Sequence, residues 1–378
     1  MVTVTSTAEA DTPAVPVRLA ELTTLHLGGP APALHRARTA GQVADLVGAA
    51  DAAGTGVLVL GGGSNLVVAD DGVPCPVVRI EISGYAVAPD PVVPGRDLVT
   101  VGAGEDWDAL VARTVSDGYG ELAPLSGIPG STGATPVQNV GAYGSEIADT
   151  LVSVEVYDRT AHRAAVLTAD ELQLGYRTSV LRGSERAVVT AVTFALTRDE
   201  VPVRYAELAR SLGVPLGGTA PAADVRTAVL ELRRGKGMVL DDADPDTRSA
   251  GSFFTNPILD AERARDADSA IRARLGAEVT YPSYPVTGAD PGTVKLSAAW
   301  LIDRAGFTKG HPGPRGGAAL SSKHTLALTN RGGSTEDLLA LAREIRDGVH
   351  AAFGVRLHPE PVFVGVDLDQ ASSPSSLA

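Results

Sequence analysis

Three short stretches of this sequence hold side chains suited to handling protons and charge. In the run 251–257, GSFFTNP, Gly251 frees the backbone beside Ser252, two of the six phenylalanines follow, and Asn256 is held extended by Pro257. A serine here is a hydroxyl with a packed shell, or simply a cap or core hydroxyl; no G-x-S-x-G elbow and no evident His and Asp partners suggest a hydrolase triad. In the run 175–179, GYRTS, Tyr176, Arg177 and Ser179 cluster with Arg182 between apolar segments, either as an anion site or as a helical turn with solvated arginines. Glu360 stands between Pro359 and Pro361 beside an apolar strand, where desolvation would raise its pKa and permit proton chemistry; an exposed turn carboxylate fits the same letters.

Glycine supplies the second kind of chemistry. Residues 124–144, PLSGIPGSTGATPVQNVGAYG, carry Gly127, Gly130, Gly133, Gly141 and Gly144 with Pro129 and Pro136 between them, so the path is irregular without being floppy. Such a path turns successive N–H groups toward one point and attracts phosphate oxygens, with Ser126, Ser131, Thr132, Gln138 and Asn139 adding side-chain hydrogen bonds. It reads as a cofactor cradle, the alternative being an ordinary surface loop. A shorter turn, Gly61-Gly62-Gly63-Ser64-Asn65, follows the strand signal of residues 57–60 and would suit a diphosphate or merely a tight turn.

The elements that must position these residues alternate. Val43, Leu46, Val47 and Ala50 recur at helical spacing and Gly54 is a stop, giving an α/β unit that ends in the first glycine turn. The run 106–120 reads as an amphipathic helix through Trp107, Leu110, Val111 and Val115 that Gly118 and Gly120 end, and 151–158, 163–168 and 187–196 read as strands. The stretch 295–310 reads as a helix through Leu296, Trp300 and Leu301, and 324–330 as a strand. Ser334 with Asp337 makes a capping box for a last helix striped by Leu338, Leu341, Ile345 and Val349. Gly118-Tyr119-Gly120-Glu121-Leu122-Ala123 fits a loose dinucleotide fingerprint but closes a helix instead of opening one, and no GxxxxGK[ST] occurs.

Composition bounds the rest. A chain of 378 residues has room for roughly two to three domains of ~150 residues. With 44% hydrophobic and 20% charged residues it is globular, and no run approaches the ~20 apolar residues of a membrane span. A net charge of −13 and 4% aromatics argue against nucleic acid, while Arg177, Arg182, Arg204, Arg233, Arg234 and Lys236 are either basic charge gathered for a small anionic ligand or scattered solvated charge. The single Cys75 leaves no intrachain disulfide, the seven histidines show no metal-ligand spacing, and the termini lack a signal-peptide pattern, so a cytoplasmic chain without metal is expected.

Taken in order, GGGSNLVV, PLSGIPGSTGATPVQNVGAYGSEI, GYRTS, GSFFTNP, KLSAAWLIDRAGF and LHPEPVFVG closely resemble the UDP-N-acetylenolpyruvoylglucosamine reductase family, over about residues 23–365. The resemblance implies a mixed α/β (α+β) fold: a two-part FAD-binding region of the vanillyl-alcohol oxidase type and a third α+β domain for substrate. The expected division is a disordered lead at 1–16, the first FAD-binding subdomain at 17–85, and the second at 86–236 with 355–370. A substrate domain at 237–354 and a disordered tail at 371–378 complete it. It implies non-covalent FAD, NADPH as hydride donor, and a nucleotide-sugar substrate, UDP-N-acetylglucosamine enolpyruvate, reduced to UDP-N-acetylmuramate for peptidoglycan. A monomer with no nucleic-acid or membrane partner is expected.

By match to the family motifs, Arg177 holds the substrate carboxylate, Ser252 delivers the proton and Glu360 supports the developing charge. FAD contacts fall on Leu60, Gly61, Gly62, Gly63, Ser64 and Asn65, and on Ser126, Gly127, Ile128, Pro129, Gly130, Ser131 and Gly133. They continue through Gln138, Asn139, Gly141, Ala142, Tyr143 and Gly144. Tyr205, Lys236 and Asn256 are the implied substrate contacts, and the segment around Tyr205 marks the longer class of these reductases, in which a tyrosine closes over the diphosphate. Thr255 stands where many relatives carry lysine, and Pro361 where an aliphatic residue is more usual. A flavin oxidase of the same superfamily and a non-catalytic nucleotide-sugar-binding protein are the alternatives.

Overall fold

The computed structural model describes residues 15–286 and 288–369. The expected lead therefore ends early, because Val15–Arg18 is already a strand; residues 1–14 and the tail at 371–378 lie outside the described residues. That strand opens a four-stranded sheet in the order Val15–Arg18, Pro30–Ala37, Val77–Ile80, Leu58–Leu60, whose first pair is antiparallel and whose others are parallel. The parallel pairing requires a crossover, which helix α1 (Ala40–Ala53) supplies. Thr39 caps it by accepting from the Gln42 amide, and Gly54 ends it at φ 65°, a conformation that costs glycine nothing.

A second, wholly antiparallel sheet runs Arg163–Thr168, Leu151–Asp158, Ala187–Thr197, Arg96–Gly102, Tyr85–Pro89. Helix α2 (Trp107–Ser116), capped by Asp106, buries Trp107 fully and ties it to the cradle, because its indole Nε1 donates to Leu125 O at 3.0 Å. The apolar faces of both sheets meet: Val43 and Val47 of α1, Val78, Val99, Val101, Val154 and Val192 share one core. After the short α3 (Ala169–Leu172), residues 201–236 form a satellite with its own small core of Val201, Val203, Leu208, Val225 and Val229. It contains α4 (Ala206–Leu212) and α5 (Ala222–Gly235).

The remainder packs around α6 (Ala261–Leu275), α7 (Ala298–Ala305) and α8 (Thr335–Phe353). Ser334 and Asp337 make the expected reciprocal capping box, and Leu338, Leu341, Ile345 and Val349 are buried. The helix expected through Leu296 begins only at Ala298. Val294–Leu296 pairs with Ile258–Leu259 and Ser283–Pro285, and Ser297 caps the helix by accepting from the Trp300 amide. Likewise only Leu328–Asn330 of the expected strand 324–330 is extended in a ladder.

Of the stretch 355–370, grouped above with 86–236, the described residues 355–369 attach elsewhere. Val362–Val364 lies parallel to Leu66–Val68, and Val355, Leu357 and Leu368 are buried with the three last helices. Asp70 accepts from the Thr335 and Glu336 amides at the start of α8, while Asn330 Nδ2 donates to Leu25 O. Residues 250–368 are thereby fixed against the first sheet's loops. Among the described residues no helix is long and apolar enough to cross a membrane.

Candidate active site

The two glycine segments are pressed against each other. A Cβ on Gly62 would lie 2.5 Å from Gly130 Cα, and one on Gly61 2.5 Å from Ser131 Oγ, so neither position has room for a side chain. Ser64 Oγ donates to Pro129 O at 2.9 Å and locks the pair. They line a cavity of about 750 Å³, with Gly61, Gly62, Gly63, Ser64 and Asn65 from the first and Ile128, Pro129, Gly130, Ser131, Gly133, Gln138 and Gly141 from the second. Arg177, Ser252 and Glu360, far apart in sequence, line the same cavity.

A short antiparallel ladder brings the last two together. Glu360 N donates to Phe253 O at 2.9 Å, Phe254 bridges Pro359, and Thr255 N donates to His358 O at 3.0 Å. One residue pair further along, Val362 N donates to Asn65 O at 2.9 Å. The strand after Pro361 thus joins the first glycine turn to the serine loop. Phe253 and Phe254 are buried with ring centroids 5.1 Å apart, a rigid backing for Ser252. Among the described residues the Ser252 hydroxyl has no hydrogen-bond partner.

Arg177 sits at φ 53°, a left-handed conformation disfavoured for a residue with a Cβ, so the surrounding structure holds it there. Its Nη2 donates to Gly141 O at 2.8 Å, and its Nε lies 3.2 Å from Glu360 Oε1 without hydrogen-bond alignment. Burial raises the Glu360 pKa against the opposing pull of Arg177 and Arg182. Gln138 Nε2 reaches Glu360 O at 3.4 Å, while Gln138 Oε1 is buried without a partner on the cavity wall.

Other expected residues lie off the cavity. Leu60 is 1% exposed in the core beneath the first sheet. Ser126 Oγ donates to Ala123 O, and Gly127 N to Asp108 Oδ1 at 2.6 Å; both serve the loop itself. Asn139 is saturated, donating to Glu146 and Gly175 O and accepting from the Ala148 amide, so it braces the cradle from behind. Ala142, Tyr143 and Gly144 turn a two-residue hairpin. Tyr143 meets the half-exposed Tyr205 edge-on at 5.6 Å, and Lys236 Nζ lies 5.7 Å from the Tyr143 ring while pairing with Glu207 at 2.5 Å.

Lys236 and Glu207 line a second hollow of about 490 Å³, together with Lys309, Lys323, His324 and Glu231. Burial, with Lys236, Lys309 and Arg233 nearby, pushes His324 down to about 4, so it is neutral at neutral pH. Asn256 lies against the Tyr176 hydroxyl and accepts from the Ala298 amide at 2.9 Å, at the start of α7. Lys295 Nζ stands 4.6 Å from the centre of the Tyr176 ring.

Cavity residues that motif reading did not single out are Arg159, the run 183–185, residues 187–189, Met238 and, in this role, Arg233. Arg233 belongs to the basic cluster noticed in the sequence, but nothing local shows that its Nε would be buried without a partner. Burial lowers its pKa to about 10, leaving it charged at neutral pH.

The size of the cavity, its floor of two glycine-rich loops, and the orphaned Gln138 Oε1 and Arg233 Nε on its wall fit a large dinucleotide cofactor with polar ring edges. Residues 31–163 match the profile of the FAD binding domain, and the chain is therefore an FAD-binding protein. Residues 244–364 match that of the UDP-N-acetylenolpyruvoylglucosamine reductase C-terminal domain. The UDP-N-acetylenolpyruvoylglucosamine reductase of Saccharopolyspora erythraea is 58% identical over 350 residues, 92% of this chain and 94% of that one. That of Thermobifida fusca is 55% identical over 358 residues, 93% and 98% of the two chains. The crystal structure of UDP-N-acetylenolpyruvylglucosamine reductase from Thermus caldophilus superposes with a TM-score of 0.61 at 27% identity, covering 93% of this chain and 98% of its own. The chain belongs to the UDP-N-acetylenolpyruvoylglucosamine reductase family.

Proposed function

We propose that this chain uses NADPH to reduce the enolpyruvyl ether of UDP-N-acetylglucosamine to UDP-N-acetylmuramate, with Arg177, Ser252 and Glu360 at the reacting end of the cavity. The observation that carries this reading is the convergence of those three residues, from segments separated by 75 and 108 positions, on the cavity floored by both glycine loops. Bound FAD would supply two-electron chemistry, taking a hydride equivalent from the nicotinamide and passing it to the vinyl carbon of the substrate.

The chain's own residues handle charge and protons. Addition of hydride to the terminal vinyl carbon pushes negative charge through C2 into a carboxylate that is already anionic. Arg177, fixed by Gly141 O and Glu360, presents a guanidinium that stabilises that charge more than it stabilises the starting carboxylate. Glu360 in its protonated form, which burial favours, donates a hydrogen bond to the same region without adding a negative charge. Ser252 Oγ, free of protein partners and backed by Phe253 and Phe254, gives its proton to C2; a strongly basic enolate makes a hydroxyl a competent acid. Tyr205, Tyr143 and Lys236, which stand beside one another, receive the nucleotide end, and Asn256 is a further substrate contact.

The test is an anaerobic titration of the purified holoprotein, followed by its visible spectrum. NADPH should bleach the flavin and UDP-N-acetylglucosamine enolpyruvate should restore it. Recovery with oxygen but not with the enolpyruvyl sugar would point to a flavin oxidase; binding of the sugar with no spectral change would point to a non-catalytic binding protein.

A further inference from the structure

One face of α5 carries Arg226, Leu230 and Arg233 at positions i, i+4 and i+7, so the three side chains lie in a row along the helix. Each touches a different part of the cradle's support. Arg226 grips Asp108 of α2 with both Nη atoms, at 2.6 and 2.9 Å. The same Asp108 accepts from the Gly127 amide at 2.6 Å. Leu230 lies where a Gly127 Cβ would meet its Cδ2 at 2.9 Å, so helix and loop are in van der Waals contact at a residue that must lack a side chain. Gly127 has φ 72°, which adds a conformational reason for glycine. Arg233 ends the row at the cavity: its Nη2 donates to Met238 O at 2.8 Å, its Nε is buried without a hydrogen bond, and among the described residues it pairs with no carboxylate.

A buried guanidinium is costly when the carboxylate that acts on it, Asp108, is already gripped by Arg226 and makes no direct pair with it; added negative charge beside it relieves that cost. Its position therefore matters, yet among the described residues its one hydrogen bond is to a backbone carbonyl. The fork of Arg226 on Asp108 is the nearest strong constraint on the helix, since a bidentate pair fixes both distance and orientation. Arg226 and Asp108 are 18% and 34% exposed in their side chains, so solvent screens the pair only in part.

We propose that Asp108 and Arg226 are positioning residues for the cofactor: their ion pair sets α5 on the glycine cradle and thereby holds Arg233 where it favours added negative charge in the flavin cavity. This rests on the FAD reading and extends it to residues outside the cavity. Two-electron reduction adds negative charge to a flavin, so a well-placed Arg233 raises the midpoint potential and tightens FAD binding; a displaced one does neither.

The experiment compares Arg226→Lys, Arg226→Met, Arg233→Met and the Arg226→Met/Arg233→Met double variant with the wild-type chain. Midpoint potentials are read from dye equilibration of the holoprotein, and FAD dissociation constants from fluorescence titration of the apoprotein. Arg226→Lys keeps the charge but loses the fork; it should lower the potential and weaken FAD roughly tenfold, the order expected when one charged hydrogen-bonding group is misplaced. Arg233→Met should do the same to a greater degree, and the double variant should match Arg233→Met alone, because Arg226 acts through it. A wild-type potential and FAD affinity in Arg226→Lys, or fully additive shifts in the double variant, would overturn the proposal even if melting temperatures fell. If Arg226→Met does not fold, Arg226→Lys decides. A wild-type apoprotein that takes up no FAD would instead overturn the cofactor reading.

Discussion

Arg177 Nε lies 3.2 Å from Glu360 Oε1 inside a shared cavity, yet burial still raises the pKa of the carboxyl. The guanidinium is committed to Gly141 O and does not fully offset the desolvation of its neighbour. An acid whose neutral form burial favours, next to a fixed cation, suits a site in which negative charge must appear on a third group, the substrate.

That balance has a pH signature in stability. Because the folded-state pKa of Glu360 is raised above its ordinary value of 4.5, the folded protein holds this proton more tightly than the unfolded chain, and the group costs stability progressively as pH rises above 4.5. Glu360→Gln is expected to unfold like the wild type in acid and to become relatively more stable as pH increases, while losing turnover. Urea unfolding from pH 4 upward checks this, and a constant difference at every pH would contradict it.

His324 has the opposite sign. Its pKa is lowered from 6.5 to about 4, so below pH 6.5 the unfolded chain binds a proton that the folded one refuses, and stability falls as pH drops toward 4. The loss should reach up to about 3 kcal/mol. His324→Gln should flatten that limb of the stability profile in urea unfolding while leaving the profile above pH 7 parallel to wild type.

Ser252→Ala should leave flavin reduction by NADPH nearly intact and slow reoxidation by the enolpyruvyl sugar by at least ~10²-fold, the size of a lost general acid. Stopped-flow traces of the two half-reactions separate these effects. Equal slowing of both would remove Ser252 from the proton-donor role.

Gly62→Ala places a methyl 2.5 Å from Gly130 Cα and 2.9 Å from Ser131 N, where only backbone can yield. The expected cost is about 1–3 kcal/mol, with loss of flavin uptake because the two loops no longer close on each other. Absorbance at the flavin band after reconstitution, together with a melting curve, tests this; a fully loaded variant of wild-type stability would show that the apposition is dispensable.

What the sequence determines here is chemistry written within a few residues. The capping box of Ser334 and Asp337, the stop at Gly54, the glycine turn 61–65 and the cradle 124–144 depend on local backbone needs and can be read one segment at a time. The ordered motifs also reached the family to which the chain belongs. Local reading failed where a residue's surroundings come from distant segments. Ser126, Asn139 and Leu60 have types and positions that suit a cofactor, but their hydrogen bonds and burial are taken up by the scaffold. Leu296 fits a helical stripe and becomes a strand because Ile258–Leu259 and Ser283–Pro285 claim its backbone.

Tertiary structure alone decided that Glu360 pairs its backbone with Phe253, that Val362–Val364 joins Leu66–Val68, and that Arg233 reaches the cavity wall. The physical reason is that hydrogen bonds between strands and the burial of a guanidinium depend on which surfaces meet. Those partners lie a hundred to three hundred positions away, on the order of the whole chain, where no local propensity extends.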